Sequence, residues 1–255
     1  MTSKWIVIIS LLVILVSSPP LTAEEGDPYD KWAFDAEIYL WGASIGGKTG
    51  SGRDIEVDFG DIFRRLEMAF MGTVGARKNK WSFMLDAIYL DAKDSKNFTI
   101  PIENLTIIGA KGTVEVTACL LTPSVGYNIF QTERINLDFL AGARYLHLKS
   151  DAELDFDLGI LPNRERDIVS DSIWDGIIGL KGRVNLSKNW YLPYYADIGT
   201  GSSKLTWQAF GGVGYRFKRI NLIGAYRYMA WNLDDNDKFD DFNLHGPFVG
   251  VKFRF

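Results

Sequence analysis

Val249-Gly250-Val251-Lys252-Phe253-Arg254-Phe255 closes the chain with large apolar side chains at every second position and glycine or a base between them. Successive side chains of a strand point to opposite faces, so one face here carries Val249, Val251, Phe253 and Phe255 and the other Gly250, Lys252 and Arg254. The same period of two recurs upstream. In Trp32–Ala43 one face reads Trp32, Phe34, Ala36, Ile38, Leu40, and the other holds Asp35 and Glu37 in mid-strand. Leu66, Met68, Phe70, Val74 and Ala76 oppose Glu67, Thr73, Gly75 and Arg77; Trp81, Phe83, Leu85, Ala87 and Tyr89 oppose Ser82 and Asp86. Leu137, Phe139, Ala141, Ala143 and Tyr145 oppose Asp138, Gly142 and Arg144, while Trp174, Ile178, Leu180 and Val184 oppose Asp175, Lys181 and Arg183. Ten segments share the pattern: 32–43, 65–78, 80–93, 113–129, 134–149, 171–186, 190–199, 204–217, 219–231 and 242–255.

The connections alternate in length. Short turns near 79, 131–133, 187–189 and 218 alternate with longer links at 44–64, 94–112, 150–170 and 232–241, with a short one at 200–203 as the exception. Gly-Ala-Arg (75–77), Gly-Tyr-Asn (126–128), Gly-Arg-Val (182–184) and Gly-Tyr-Arg (214–216) each lead into a short turn or lie just before one, so the hairpin is the repeating unit. At the other end of the chain, residues 1–23 read as a secretory signal peptide. Lys4 precedes an apolar run from Trp5 to Val16, Ser17-Ser18-Pro19-Pro20 breaks it, and Ala23 stands before Glu24-Glu25. The expected domain plan is a cleaved segment, 1–23, and a single barrel domain, 24–255.

Composition narrows the chemistry. The single Cys119 leaves no intramolecular disulfide and no cysteine zinc cluster, two histidines are little material for a metal or catalytic centre, and a net charge of −4 disfavours nucleic-acid binding. Neither catalytic, cofactor-binding nor metal-ligating residues are expected.

Three features favour a membrane barrel over a soluble one. Aromatic residues stand at strand ends: Trp32, Trp81, Tyr127 and Trp190 near the short turns, and Tyr89, Tyr145, Trp174, Trp207 and Trp231 near the long links. Two such rings suit the two membrane interfaces. The strands exceed globular length and fit the roughly 9–11 residues of a tilted membrane strand. The chain also stops within its alternating pattern. The predicted fold is therefore all-β, a transmembrane antiparallel up-and-down β-barrel of ten strands, with eight as the alternative. Its lumen is expected to carry a charge network of Asp35, Glu37, Glu67, Arg77, Asp86, Asp138, Arg144, Asp175, Lys181, Arg183, Asp197, Arg216, Arg227, Lys252 and Arg254. Acids and bases are nearly balanced there, which favours a paired, water-poor lumen over a pore selective for one sign.

An alternating last strand ending in Phe255, with Val249, Val251 and Phe253, resembles the assembly signal of Gram-negative outer-membrane barrels. With the signal peptide and ten hairpin-connected segments, the mature chain resembles small outer-membrane proteins of the OmpA/OmpW-like barrel type, in an uncharacterised subfamily. Tyr195–Gly201, Leu205–Gln208 and Gly214–Phe217 resemble proteobacterial barrel proteins of no assigned role. Those relatives have eight strands, so at ten their functions do not transfer. The resemblance implies a cell outer-membrane location, contact with outer-membrane lipid and lipopolysaccharide, and handling by the barrel-assembly machinery. The expected function is a non-enzymatic barrel, structural or a narrow, porin-like passive pore for small solutes. The alternative is capture of an apolar or lipid ligand by extracellular loops, prompted by Phe98, Ile100, Ile102, Leu105, Ile107 and Ile108. A lipid-modifying enzyme is the weaker third.

Other motifs have plainer readings. Gly42–Thr49 fits the phosphate-loop pattern G-x-x-x-x-G-K-[ST], but the strand before it carries Asp35 and Glu37 and no helix start follows, so a glycine-rich loop is expected. His147 and His245 face outward near the extracellular rim by parity. His147-Leu148-Lys149-Ser150 lacks the His-x-Ser spacing associated with outer-membrane deacylases, and without a nucleophile in reach both are expected to be interface histidines. The acidic loop 234–241 reads as solvated surface, with weak divalent binding as the alternative, and Asp58–Glu67 as a short amphipathic turn at the mouth.

Overall fold

The structure, a computed structural model, describes residues 31–49, 54–102, 105–157, 162–233 and 239–255. The expected signal peptide 1–23 and residues 234–238 of the acidic loop lie outside the described residues. The side chains of Phe98, Ile100, Ile102, Leu105, Ile107 and Ile108 do so as well.

The strands are β1 (Ala33–Trp41), β2 (Ser44–Thr49), β3 (Asp54–Val57), β4 (Leu66–Lys78), β5 (Trp81–Ile102), β6 (Leu105–Gln131), β7 (Ile135–Asp157), β8 (Pro162–Asn185), β9 (Trp190–Gly201), β10 (Leu205–Arg216), β11 (Ile220–Asn232) and β12 (Phe239–Arg254), with one helix, α1 (Phe59–Arg65). From β4 to β12 each strand pairs antiparallel with the next in sequence, and β1 joins the two ends by pairing with both β4 and β12. Phe255 N–H donates to Phe34 O at 2.9 Å, which carries the closure to the last residue. β2 continues β1 in the same register against β12, from Trp41↔Phe248 to Ser44↔His245, so the two make one wall strand with a break at Gly42-Ala43. Ten strands thus close the ring, and β3 is an extra strand on the outer edge of β2.

Closure follows from backbone accounting. Within the closed ring each wall strand has a neighbour on both sides, so few of its main-chain groups face an unpaired edge. Where the chains approach closely, only glycine fits: a Cβ on Gly246 of β12 would stand 1.8 Å from Gly42 O. The turn between β4 and β5 places Asn79 at a φ of 54°, a left-handed conformation that asparagine tolerates.

The alternation sorts into an outer and an inner face. Leu40 and Val249, facing out, are 70% and 65% exposed, whereas their neighbours Trp41 and Phe248, facing in, are 2% and 3% exposed. Trp32, Trp81, Tyr127 and Trp190 are exposed at the short-turn end, and Trp174 and Trp207 at the other. Trp231 departs from the expected outer ring. It lies on the inward face of β11, 1% exposed, stacked on Phe242 with ring centroids 4.7 Å apart.

The expected long links are mostly structured. β5 and β6 stay paired to Ile102↔Leu105 and β7 and β8 to Asp157↔Pro162, so the described residues of 94–112 and 150–170 continue the strands rather than forming loops. Once two strands leave the barrel side by side, continuing the ladder satisfies their main-chain groups at no closure cost beyond that of the hairpin. The link 44–64 holds β2, β3 and α1. The phosphate-loop look-alike Gly42–Thr49 is therefore largely strand, paired to β12 and β3.

Candidate functional site

The inward faces stack into three levels. Nearest the long hairpins the lining is apolar: Trp41, Met71, Ile88, Leu120, Leu146, Ile173, Met229, Trp231 and Phe248 form one buried cluster, with Leu148, Phe242 and Leu244 packed on it. Below it lies a buried polar belt. Arg227 Nη2 donates to Asp86 Oδ2 at 2.7 Å, and Asp86 Oδ1 accepts from Tyr39 Oη at 2.7 Å and Thr73 Oγ1 at 2.8 Å. Arg144 Nη2 donates to Asp197 Oδ2 at 2.6 Å, and its Nη1 donates to Thr206 Oγ1 at 2.7 Å. Gln208 Oε1 accepts from both arginines, each at 3.2 Å, and so joins the two pairs across the lumen.

Each arginine has a tryptophan against it from the apolar level. The Arg227 guanidinium lies 4.9 Å from the Trp41 ring centroid, and that of Arg144 lies 5.7 Å from Trp231. Cation–π attraction and exclusion of water act together in this arrangement. Tyr39, Asp86, Arg144, Asp197, Thr206, Gln208 and Arg227 are all buried, so side chains fill the barrel at this height. A barrel of about this strand number has an interior just wide enough to be filled that way.

The third level faces the short turns. Asp138 accepts from Arg77 and, at 2.7 Å, from Asn128 Nδ2. Lys252 pairs with Asp35 at 2.8 Å, and Glu37 stands opposite Lys252 in register. Arg216 donates to Asn185 Oδ1 and lies 4.6 Å from the Tyr191 ring centroid. Lys181 and Arg254 lie on the same inward face, and Arg183 is exposed at its end.

The sequence-predicted residues therefore separate. Asp86, Arg144, Asp197 and Arg227 meet in the belt; Asp35, Arg77, Asp138 and Lys252 form pairs below it. Asp175 is buried opposite Arg144 in register, yet its Oδ1 accepts from Ser203 N–H at 2.9 Å and so holds the β9–β10 turn. Glu67 is exposed at the bulge between Leu66 and Met68, away from the network. Tyr39, Thr206 and Gln208 complete the belt. Alternation places them on the inward face, but only the register across strands shows that they bridge the charges.

On the outer face His147 Nδ1 lies 2.8 Å from Ser172 Oγ, with Tyr145 Oη 3.5 Å from the same hydroxyl. His245 Nδ1 is 2.8 Å from Tyr226 Oη. Sequence spacing hid Ser172, because it is the cross-strand neighbour of His147 on β8 rather than a local partner. Both histidines stand among aromatic rings: His147 stacks on Tyr145 and His245 on Tyr228.

No family model matches the chain, and no curated protein matches it. Among solved structures it is similar to the translocator domain of the autotransporter NalP from Neisseria meningitidis, at 17% identity and a TM-score of 0.45, covering 99% of this chain and 96% of that one. It is also similar to the attachment invasion locus protein Ail of Yersinia pestis, at 12% identity and a TM-score of 0.35, covering 89% of this chain and 99% of that one. The toluene transporter TodX of P. putida is similar at 9% identity and a TM-score of 0.33, covering 91% of this chain and 90% of that one. The strand pairing itself defines the architecture: the chain is an all-β protein, a closed antiparallel barrel of ten strands with one extra strand on its edge.

Proposed function

We propose that the protein is a non-enzymatic Gram-negative outer-membrane β-barrel whose lumen is closed at mid-height, so that it serves the membrane as a structural element rather than as an open pore. An exposed apolar surface running around the barrel supports the location. Phe34, Ile38, Phe83, Val125, Phe139, Ile178, Ile198, Val213, Leu222 and Val249 come from all sides of the ring. In water a patch of that extent drives association, whereas in hydrocarbon it costs nothing and the closed ladder supplies the main-chain hydrogen bonds.

One observation carries the closed-lumen reading: the buried belt in which Gln208 ties Arg144–Asp197 to Arg227–Asp86. A hydrated ion would have to displace paired, desolvated charges to pass it. Liposomes containing the folded protein should not swell in isosmotic solutions of small sugars or amino acids. Swelling at rates set by solute size would overturn the closed-lumen reading.

A second reading is favoured by the apolar level above the belt, which suits an apolar or lipid ligand entering from outside. Deleting 95–111 should weaken binding of such a ligand if the outer hairpin takes part. Unchanged binding would remove the hairpin from that role.

A further inference from the structure

The wall has a split. β1 and β4 pair from Ala33↔Arg77 to Ile38↔Gly72 and no further, although β1 runs on to Trp41 and β4 begins at Leu66. Over the split Leu66–Met71 stays bonded to β5 and Tyr39–Trp41 to β12, so each side remains part of the barrel and only the line between them is unzipped. The Trp41 N–H, which lies at this line, meets Met71 Sδ at 3.3 Å, a thioether in place of a strand carbonyl. Sulfur is a weak acceptor, and an open ladder in a membrane wall costs free energy that continued pairing would avoid.

A short helix stands at the upper end of the split. β3 leaves the edge of β2, and α1 connects it to the start of β4, touching β2 and β5. Phe59 N–H donates to Ser44 Oγ at 3.2 Å, and the Phe59 ring packs on Gly42 at the break between β1 and β2.

Both sides of the split are apolar. Inside stand Trp41, Met71 and Phe248 of the upper lumen. Outside, Leu40 beside the split is 70% exposed, and just below it a groove of about 240 Å³, lined by Ile38, Phe70, Leu85 and Phe253 together with Glu37 and Thr73, lies over the paired part of β1 and β4. At the split the unpaired line alone parts the packed apolar side chains of the upper lumen from the apolar outer surface, with α1 at its upper end.

We propose that the β1–β4 split is a lateral port through which one apolar chain, the acyl or alkyl chain of an outer-leaflet amphiphile, reaches the upper lumen, with α1 as its movable wedge. Occupancy requires Trp41 and Met71 to swing aside; methionine, unbranched and polarisable, is suited to repacking around a chain. The belt of Arg227 and Arg144 below sets the depth to which the chain can descend. This inference rests on the barrel being embedded in a membrane.

Brominated acyl chains quench tryptophan on contact, which gives the test. Three variants, each retaining one of the eight tryptophans, would be refolded into vesicles of phosphatidylcholine brominated in the upper acyl chain. Trp174 faces out and is 56% exposed, whereas Trp41 and Trp231 both face in at 2% and 1% exposed. The expected result is strong quenching of Trp174, clear quenching of Trp41 and little of Trp231. Equal quenching of Trp41 and Trp231, with Trp174 quenched, would overturn the port and leave the membrane reading standing. An unquenched Trp174 in a folded barrel would overturn the membrane reading and the port with it. Should a variant fail to fold, single changes decide: Trp41→Phe should lower the quenchable fraction of the whole protein more than Trp231→Phe, and equal effects refute the port.

Discussion

Arg144 is fully buried and bonded to Asp197, Thr206 and Gln208, so its removal leaves a carboxylate with no cation in a closed interior. Arg144→Ala should lower stability by about 3–5 kcal/mol, the usual penalty for breaking a buried pair from one side, read from urea unfolding of the refolded barrel. The double change Arg144→Met with Asp197→Leu should recover most of that loss, because the cost lies in the orphaned charge. An equal loss in the double variant would contradict this account. Gly246 sits where any Cβ would strike Gly42 O, so Gly246→Val should reduce the yield of folded, heat-modifiable barrel on gels, whereas Gly211→Val, where a Cβ meets nothing within 4 Å, should not. At this scale the inward position of Asp86, Arg144, Asp197 and Arg227 was legible, because parity alone assigns a face. Their partners were not. Arg144 is ion-paired to Asp197, two strands away, rather than to the adjacent Asp175, and His147 meets Ser172, because such choices depend on register and side-chain reach.

The ten wall strands were legible as elements because the outer face and the lumen of a closed barrel impose opposite polarity on successive residues, and period two is the simplest signal a strand can carry. Three features were not legible. The ladders of β5–β6 and β7–β8 continue beyond the segments of clear alternation, through stretches such as Ile107-Ile108 where apolar residues stand in succession and period two is lost. The inward turn of Trp231 was missed because a tryptophan near a strand end suits either a girdle or a lumen. The split between β1 and β4 is an absence of pairing, which no residue pattern announces. The outer hairpin hangs on a ladder that is already complete below it. Replacing 95–111 by a short turn should therefore leave folding yield and heat modifiability of the barrel unchanged, and loss of folding would show that the hairpin is part of the fold's nucleus. Phe255 lies at the opposite end, closing the ring on Phe34. Its removal should slow insertion into vesicles more than it lowers final stability, since it adds one closing pair to an otherwise paired strand.

For the whole molecule, the outer surface, the closed ladder and the filled interior support one another. An apolar exterior calls for hydrocarbon, hydrocarbon calls for a closed ring, and a ring of ten strands is narrow enough for side chains to fill. The central claim is that the filled belt makes the barrel silent to ions, and single-channel recording of the refolded protein in a planar bilayer tests it most directly. The account predicts no conductance steps from a barrel verified as folded by its heat-modifiable gel shift, and small steps once Arg144, Asp197, Arg227 and Asp86 are all replaced by alanine. Stable steps from the unaltered protein, with ion selectivity that changes in Arg144→Ala, would contradict it.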